Sequence, residues 1–102
     1  MAQTPEGKVK KQITDYLDGL IEKKHHVYWE RRDASGLNYK KGLPDLWMCY
    51  NGLHIEIEVK AEKGERSAMQ EMWQRYFDEH SISYILARSK EDFEDQLLKI
   101  IS

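Results

Sequence analysis

The chain is expected to fold as an α/β domain in the order α-β-β-β-α-β-α, with a mixed four-stranded sheet. Three observations predict this. Asn51-Gly52 separates two alternating runs, 42–50 and 53–60, and Asn-Gly signals a tight hairpin because both residues accept the positive φ of a type I′ turn. A helical pattern beginning at Ser67 parts the second run from another apolar strand, a connection that permits a parallel crossover. Helical periodicity also marks both ends of the chain. With 102 residues the length suits one domain, residues 1–102, with a single core.

The elements follow in order. Thr4-Pro5-Glu6 reads as a helix start, with Thr4 as cap, Pro5 in the first position and Glu6 favoured by the helix dipole. Val9, Ile13, Tyr16, Leu17, Leu20 and Ile21 recur at helical spacing to about residue 23. Residues 27–32 have strand composition, and 33–42 read as a loop. After the hairpin, 61–66 connect to a second helix. Ser67 with Gln70 three residues on forms a capping-box pattern there, and Met69, Met72, Trp73, Tyr76 and Phe77 form its apolar face. Residues 81–87 read as a buried strand. Ser89 with Asp92 begins a last helix whose Phe93, Leu97, Leu98 and Ile101 are expected to pack inward. Trp29, Trp47 and Trp73 are mainly core candidates, and Trp47, on the polar face, also suits an interface.

A two-residue turn sets the hairpin register. Tyr50 then faces Leu53, Met48 faces Ile55 and Leu46 faces Ile57, which makes one apolar face. On the other face Trp47 meets Glu56 and Asp45 lands opposite Glu58, with Lys60 one step beyond. Directly opposed carboxylates about 5 Å apart repel by roughly 3 kcal/mol at an effective dielectric near 20. A divalent cation between them would reverse that penalty, and hard oxygen ligands suit Mg²⁺, with Mn²⁺ as a substitute. The competing reading is a solvated strand face on which Lys60 screens the pair. Glu56 reads as a peripheral charge, and His25, His26 and His54 as surface or packing residues.

Composition narrows the function classes. The formal net charge is −2, which neither advertises nor forbids nucleic-acid binding. Basic residues cluster at Lys8, Lys10, Lys11, at Lys23, Lys24, at Arg31, Arg32 and at Lys40, Lys41. A single cysteine, Cys49, excludes an intramolecular disulfide and a cysteine-based zinc site. No apolar run is long enough for a membrane span and the N-terminus lacks a signal peptide, so a cytoplasmic location is expected.

Pro44-Asp45 followed by Glu58-Val59-Lys60 resembles the PD-(D/E)xK nuclease superfamily. More closely, Gly42-Leu43-Pro44-Asp45-Leu46 with Ile57-Glu58-Val59-Lys60 and Ser67-Ala68-Met69-Gln70 resembles the VRR-NUC (virus-type replication-repair nuclease) family, over nearly the whole chain. The resemblance implies a restriction-endonuclease-like core and a Mg²⁺-dependent endodeoxyribonuclease. Asp45 and Glu58 would be metal ligands, with the Val59 backbone carbonyl a third and Glu6 acting through water. Lys60 would orient or deprotonate the attacking water, and Gln70 would contact the water or the scissile phosphate. Each has a plainer alternative: Asp45 as a turn residue, Lys60 as a surface lysine, Glu6 as a dipole partner, Gln70 as a cap. Tyr39, Lys40 and Lys41 sit where a loop would meet DNA phosphates. Stand-alone members of the family imply a homodimer acting on branched DNA such as four-way (Holliday) junctions, in a bacterial or phage-infected cell. A non-catalytic DNA-binding module and a hydrolase of small phosphoesters are the other readings.

Overall fold

Thr4 caps the first helix, its Oγ1 accepting from the Gly7 amide at 3.0 Å, and Pro5 opens α1 (Pro5–Glu22). In the computed structural model, which describes residues 3–32 and 40–102, six further elements follow: β1 (Val27–Arg31), β2 (Leu46–Tyr50), β3 (Leu53–Val59), α2 (Ala68–Glu79), β4 (Ser83–Ala87) and α3 (Lys90–Ile101). This is the expected order. The sheet runs β1-β2-β3-β4. Its first two pairings are antiparallel and β3–β4 is parallel, as the α2 crossover requires.

Asn51 and Gly52 take φ of 49° and 84°, so the hairpin forms in the anticipated register, Met48 on Ile55 and Leu46 on Ile57. The apolar face carries Leu46, Met48, Ile55, Ile57, Val59, Ile85 and Ala87, all buried. Against it pack Ile13 and Leu17 of α1 and Phe93 and Leu97 of α3. Each large buried side chain contributes about 1.5–3 kcal/mol. No helix among the described residues is long and apolar enough to cross a membrane.

Three packing expectations need correction. Leu98 is 52% exposed, because Leu97 and Phe93 already take the inward stripe of α3 and the next residue points some 100° away. On α2 only Phe77 is buried, while Met69, Met72 and Tyr76 remain exposed. This helix meets the sheet at its β4 edge, where Phe77 stacks on Tyr84 at 6.0 Å. The tryptophans are half-buried rather than core: Trp29 donates to Asp18 at 2.8 Å, and Trp47 stacks on His54 at 5.1 Å.

Candidate active site

Asp45 lies in a bend immediately before β2, one residue past the Leu46–Ile57 pair. Its carboxylate Oδ2 sits 2.9 Å from Lys10 Nζ. Lys60 follows the last residue of β3, its amide donating to the Ala87 carbonyl at 3.0 Å, and its Nζ lies 3.8 Å from Glu6 Oε1. Glu6 and Lys10 are four residues apart on α1 and therefore neighbours on one helix face. The start of α1 thus gathers three of the sequence candidates, Glu6, Asp45 and Lys60.

Glu58 is built differently. Its side chain is 2% exposed and both oxygens are partnered, Oε2 by Arg66 Nε at 3.0 Å and Oε1 by the Tyr84 hydroxyl at 2.9 Å. Arg66 also donates to the Tyr84 oxygen at 3.0 Å, closing a triangle. Burial, then the Glu58 charge and its hydrogen bond, push the Tyr84 hydroxyl well above its ordinary pKa. Burial alone pushes the Arg66 guanidinium down, but Tyr84 and Glu58 outweigh it and the net shift is upward. The repulsion anticipated between Asp45 and Glu58 is therefore answered by protein groups, Lys10 for one and Arg66 with Tyr84 for the other.

Glu56 is not peripheral. It is 2% exposed, held bidentate by Arg32 through Nη1 at 2.5 Å and Nη2 at 2.8 Å, with His54 Nε2 on Oε2. Such a burial is tolerated because the charge is paired and both of its oxygens take part in hydrogen bonds. Gln70 fills the capping role: its Oε1 accepts from the Ser67 amide at 2.8 Å, and the Gln70 amide donates back to Ser67 Oγ at 3.1 Å. Val59 closes β3 opposite Ala87 with its side chain in the core. The Lys40 ammonium lies 5.8 Å from the Trp73 ring centroid, and the Lys41 carbonyl accepts from Trp73 Nε1 at 3.0 Å. Tyr39 lies outside the described residues.

Gly42 explains how this loop reaches α2. Its φ is +88°, and a Cβ there would lie 2.6 Å from Met69 Cβ and 2.8 Å from the Met69 carbonyl carbon. Only glycine satisfies both the backbone and the close approach, so the segment leading to Pro44-Asp45 is seated on the first turn of α2. Downstream of Lys60, Arg88 Nη1 donates to the carbonyls of Ala61 at 2.8 Å and Gly64 at 2.8 Å, fixing the turn that follows.

Sequence reasoning missed Lys10, Arg32, Arg66, Tyr84 and Arg88. Lys10 had a usable signal, its i,i+4 spacing from Glu6. Arg32 had none, because the long 33–42 segment leaves the β1–β2 register open until the sheet forms.

The candidate donors are all carboxylate or carbonyl oxygens, the set a hard cation such as Mg²⁺ accepts. Among the described residues no three His, Cys, Asp or Glu side chains converge on one point, so Asp45, Glu58 and Glu6 do not form a joint cage. Mg²⁺ commonly binds through only one or two carboxylates and keeps several waters, and Asp45 and Glu6, whose side chains are partly exposed, fit that mode, with the Lys10 ammonium as the competitor at Asp45. No family model matches the chain, and no curated protein does. Among solved structures, one described as "VRR_NUC domain" superimposes with a TM-score of 0.75 over 93% of this chain and 96% of its own, at 20% identity. The chain has the fold of a VRR_NUC domain.

Proposed function

We propose that the protein is a metal-dependent DNA endonuclease that hydrolyses phosphodiester bonds, with Mg²⁺ or Mn²⁺ as cofactor and branched DNA such as a four-way junction as substrate. The observation that carries this reading is that one face of α1 pairs with both Asp45, through Lys10, and Lys60, through Glu6, within a VRR_NUC fold. Asp45 and Glu58 would hold the ion, Glu58 exchanging its Arg66 or Tyr84 hydrogen bond for it, with the Val59 carbonyl as a third donor and Glu6 acting only through water. When bound, such an ion polarises a phosphate oxygen and eases deprotonation of water. Lys60 is 15% exposed on its side chain, which suits an ammonium that orients the attacking water or offsets charge developing on the phosphate. Gln70 has its Oε1 committed to the cap, which leaves its amide nitrogen for a phosphate or water. Lys40 and Lys41, with Tyr39, would meet the DNA backbone. A homodimer would present two such sites, which suits paired cuts on a symmetric junction.

A second reading, a non-catalytic DNA-binding module, draws on one observation: both strand carboxylates already have protein partners. One experiment separates the two. Duplex, flap, single-stranded and four-way-junction DNA are incubated with Mg²⁺ or Mn²⁺ and with the wild type, Asp45→Asn and Lys60→Ala. Preferential junction cutting that disappears in both variants supports the endonuclease. Cutting that survives in both overturns the assignment, and DNA binding without cutting or metal uptake by calorimetry selects the binding module.

A further inference from the structure

Arg32 follows the last residue of β1 and grips the chain on both sides of Asp45. Its backbone amide donates to the Asp45 carbonyl at 2.8 Å. Its guanidinium Nη1 donates to the Pro44 carbonyl at 2.8 Å. Peptide groups are planar, so fixing the carbonyls of Pro44 and Asp45 fixes the two planes that flank the Asp45 Cα. The direction of its side chain follows. Asp45 itself has no regular strand pairing to supply this order, because it sits in a bend just before β2.

The guanidinium is in turn immobilised from β3. Nη1 and Nη2 form a fork on the two oxygens of Glu56, and His54 occupies the same carboxylate from the next position along that face. Glu56 is 2% exposed, on a central strand whose other face lines the core, so it is a rigid anchor. Lysine would not reproduce the arrangement, since one ammonium lacks the planar fork that spans a carboxylate while reaching a third oxygen.

We propose that Arg32 is the positioning residue for Asp45: through Glu56 it ties the aspartate-bearing bend to β3 and sets where the carboxylate points. The consequence for catalysis rests on the endonuclease reading, whereas the ordering of the bend does not. The rival is a purely structural ion pair, and buried ion pairs are often replaceable by apolar residues without loss of stability.

The test uses that contrast. Arg32→Met with Glu56→Leu removes both charges together, and Arg32→Lys keeps a charge without the fork. Thermal unfolding establishes that each variant is folded. Backbone ¹⁵N relaxation at Leu43, Asp45 and Leu46 reads the order of the bend, and Mn²⁺ calorimetry with junction cleavage reads the carboxylate. Added mobility at Asp45, with kcat and metal affinity down about 10–100-fold and KM for DNA nearly unchanged, is the expected result in both variants. A double variant that is folded, as ordered as wild type at Asp45 and fully active overturns the proposal. Asp45→Asn is run in parallel. If it cleaves normally, the assignment of Asp45 to the metal fails while relaxation alone decides the role of Arg32, with unchanged order counting against it.

Discussion

The Lys10 ammonium stands 2.9 Å from the Asp45 carboxylate, so a residue of α1 holds the position that a divalent ion at Asp45 would contest. Replacing it with methionine removes the competing charge and keeps the aliphatic stem. The pair is partly exposed, which limits its worth to about 0.5–1 kcal/mol, so Lys10→Met is expected to tighten Mn²⁺ binding about two- to fivefold. Calorimetric titration of the variant against wild type checks this, and weaker binding would show that Lys10 organises the carboxylate instead of competing for it.

Gly42→Ala is expected to cost about 2–4 kcal/mol. A methyl group there meets Met69 atoms at 2.6 and 2.8 Å on a backbone with φ +88°, which adds overpacking to left-handed strain. Urea denaturation measures the loss. Because this glycine seats the segment before Asp45 on α2, cleavage should fall further than the loss of folded protein accounts for.

Tyr84→Phe is expected to lose about 1.5–3 kcal/mol at pH 8, the contribution of a hydrogen bond to a charged group. The hydroxyl pKa is raised in the folded protein above its ordinary 10.0, by burial first and Glu58 second. The hydroxyl therefore stabilises fully below pH 10. That contribution is lost as pH rises past 10 toward the elevated folded value, since the unfolded chain ionises first. Denaturation curves at pH 8 and 11 should show wild type and variant converging at the higher pH.

Ser81→Gly is expected to raise stability by about 0.5–1 kcal/mol. Ser81 has φ 58° just past α2, where the Ile82 amide reaches the Phe77 carbonyl at 2.9 Å and the Ser81 amide reaches that of Asp78 at 3.2 Å. This helix ending favours glycine, and the rise should appear as a melting point about 2–6 °C higher.

The hairpin and the helix caps were legible because they rest on local chemistry. Asn51-Gly52 specifies its turn, and Thr4, Ser67 and Ser89 each cap the amide three residues on. The site was legible only as a set of residues. Asp45, Glu58 and Lys60 could be named from their order and Glu6 from the resemblance, but their partners come from other elements: Lys10 of α1 for Asp45, Glu6 of α1 for Lys60, and Arg66 with Tyr84, from beyond the hairpin, for Glu58. Glu56 looked like one more surface charge, because its partner Arg32 lies 24 positions earlier across a segment without regular pattern.

The sequence by itself determined the order of the elements, the hairpin register and the apolar face, all of which follow from periodicity and turn geometry over a few residues. Tertiary structure alone decided which charge answers which. Pairing Glu56 with Arg32 depends on strand neighbours across the long 33–42 connection, pairing Glu58 with Arg66 on the turn after β3, and charge carries no directional pattern along a chain. Arg32 reaches Glu56 only once β1 lies beside β2, Tyr84 reaches Glu58 only once β4 pairs with β3, and Lys10 reaches Asp45 only once α1 packs across the core face.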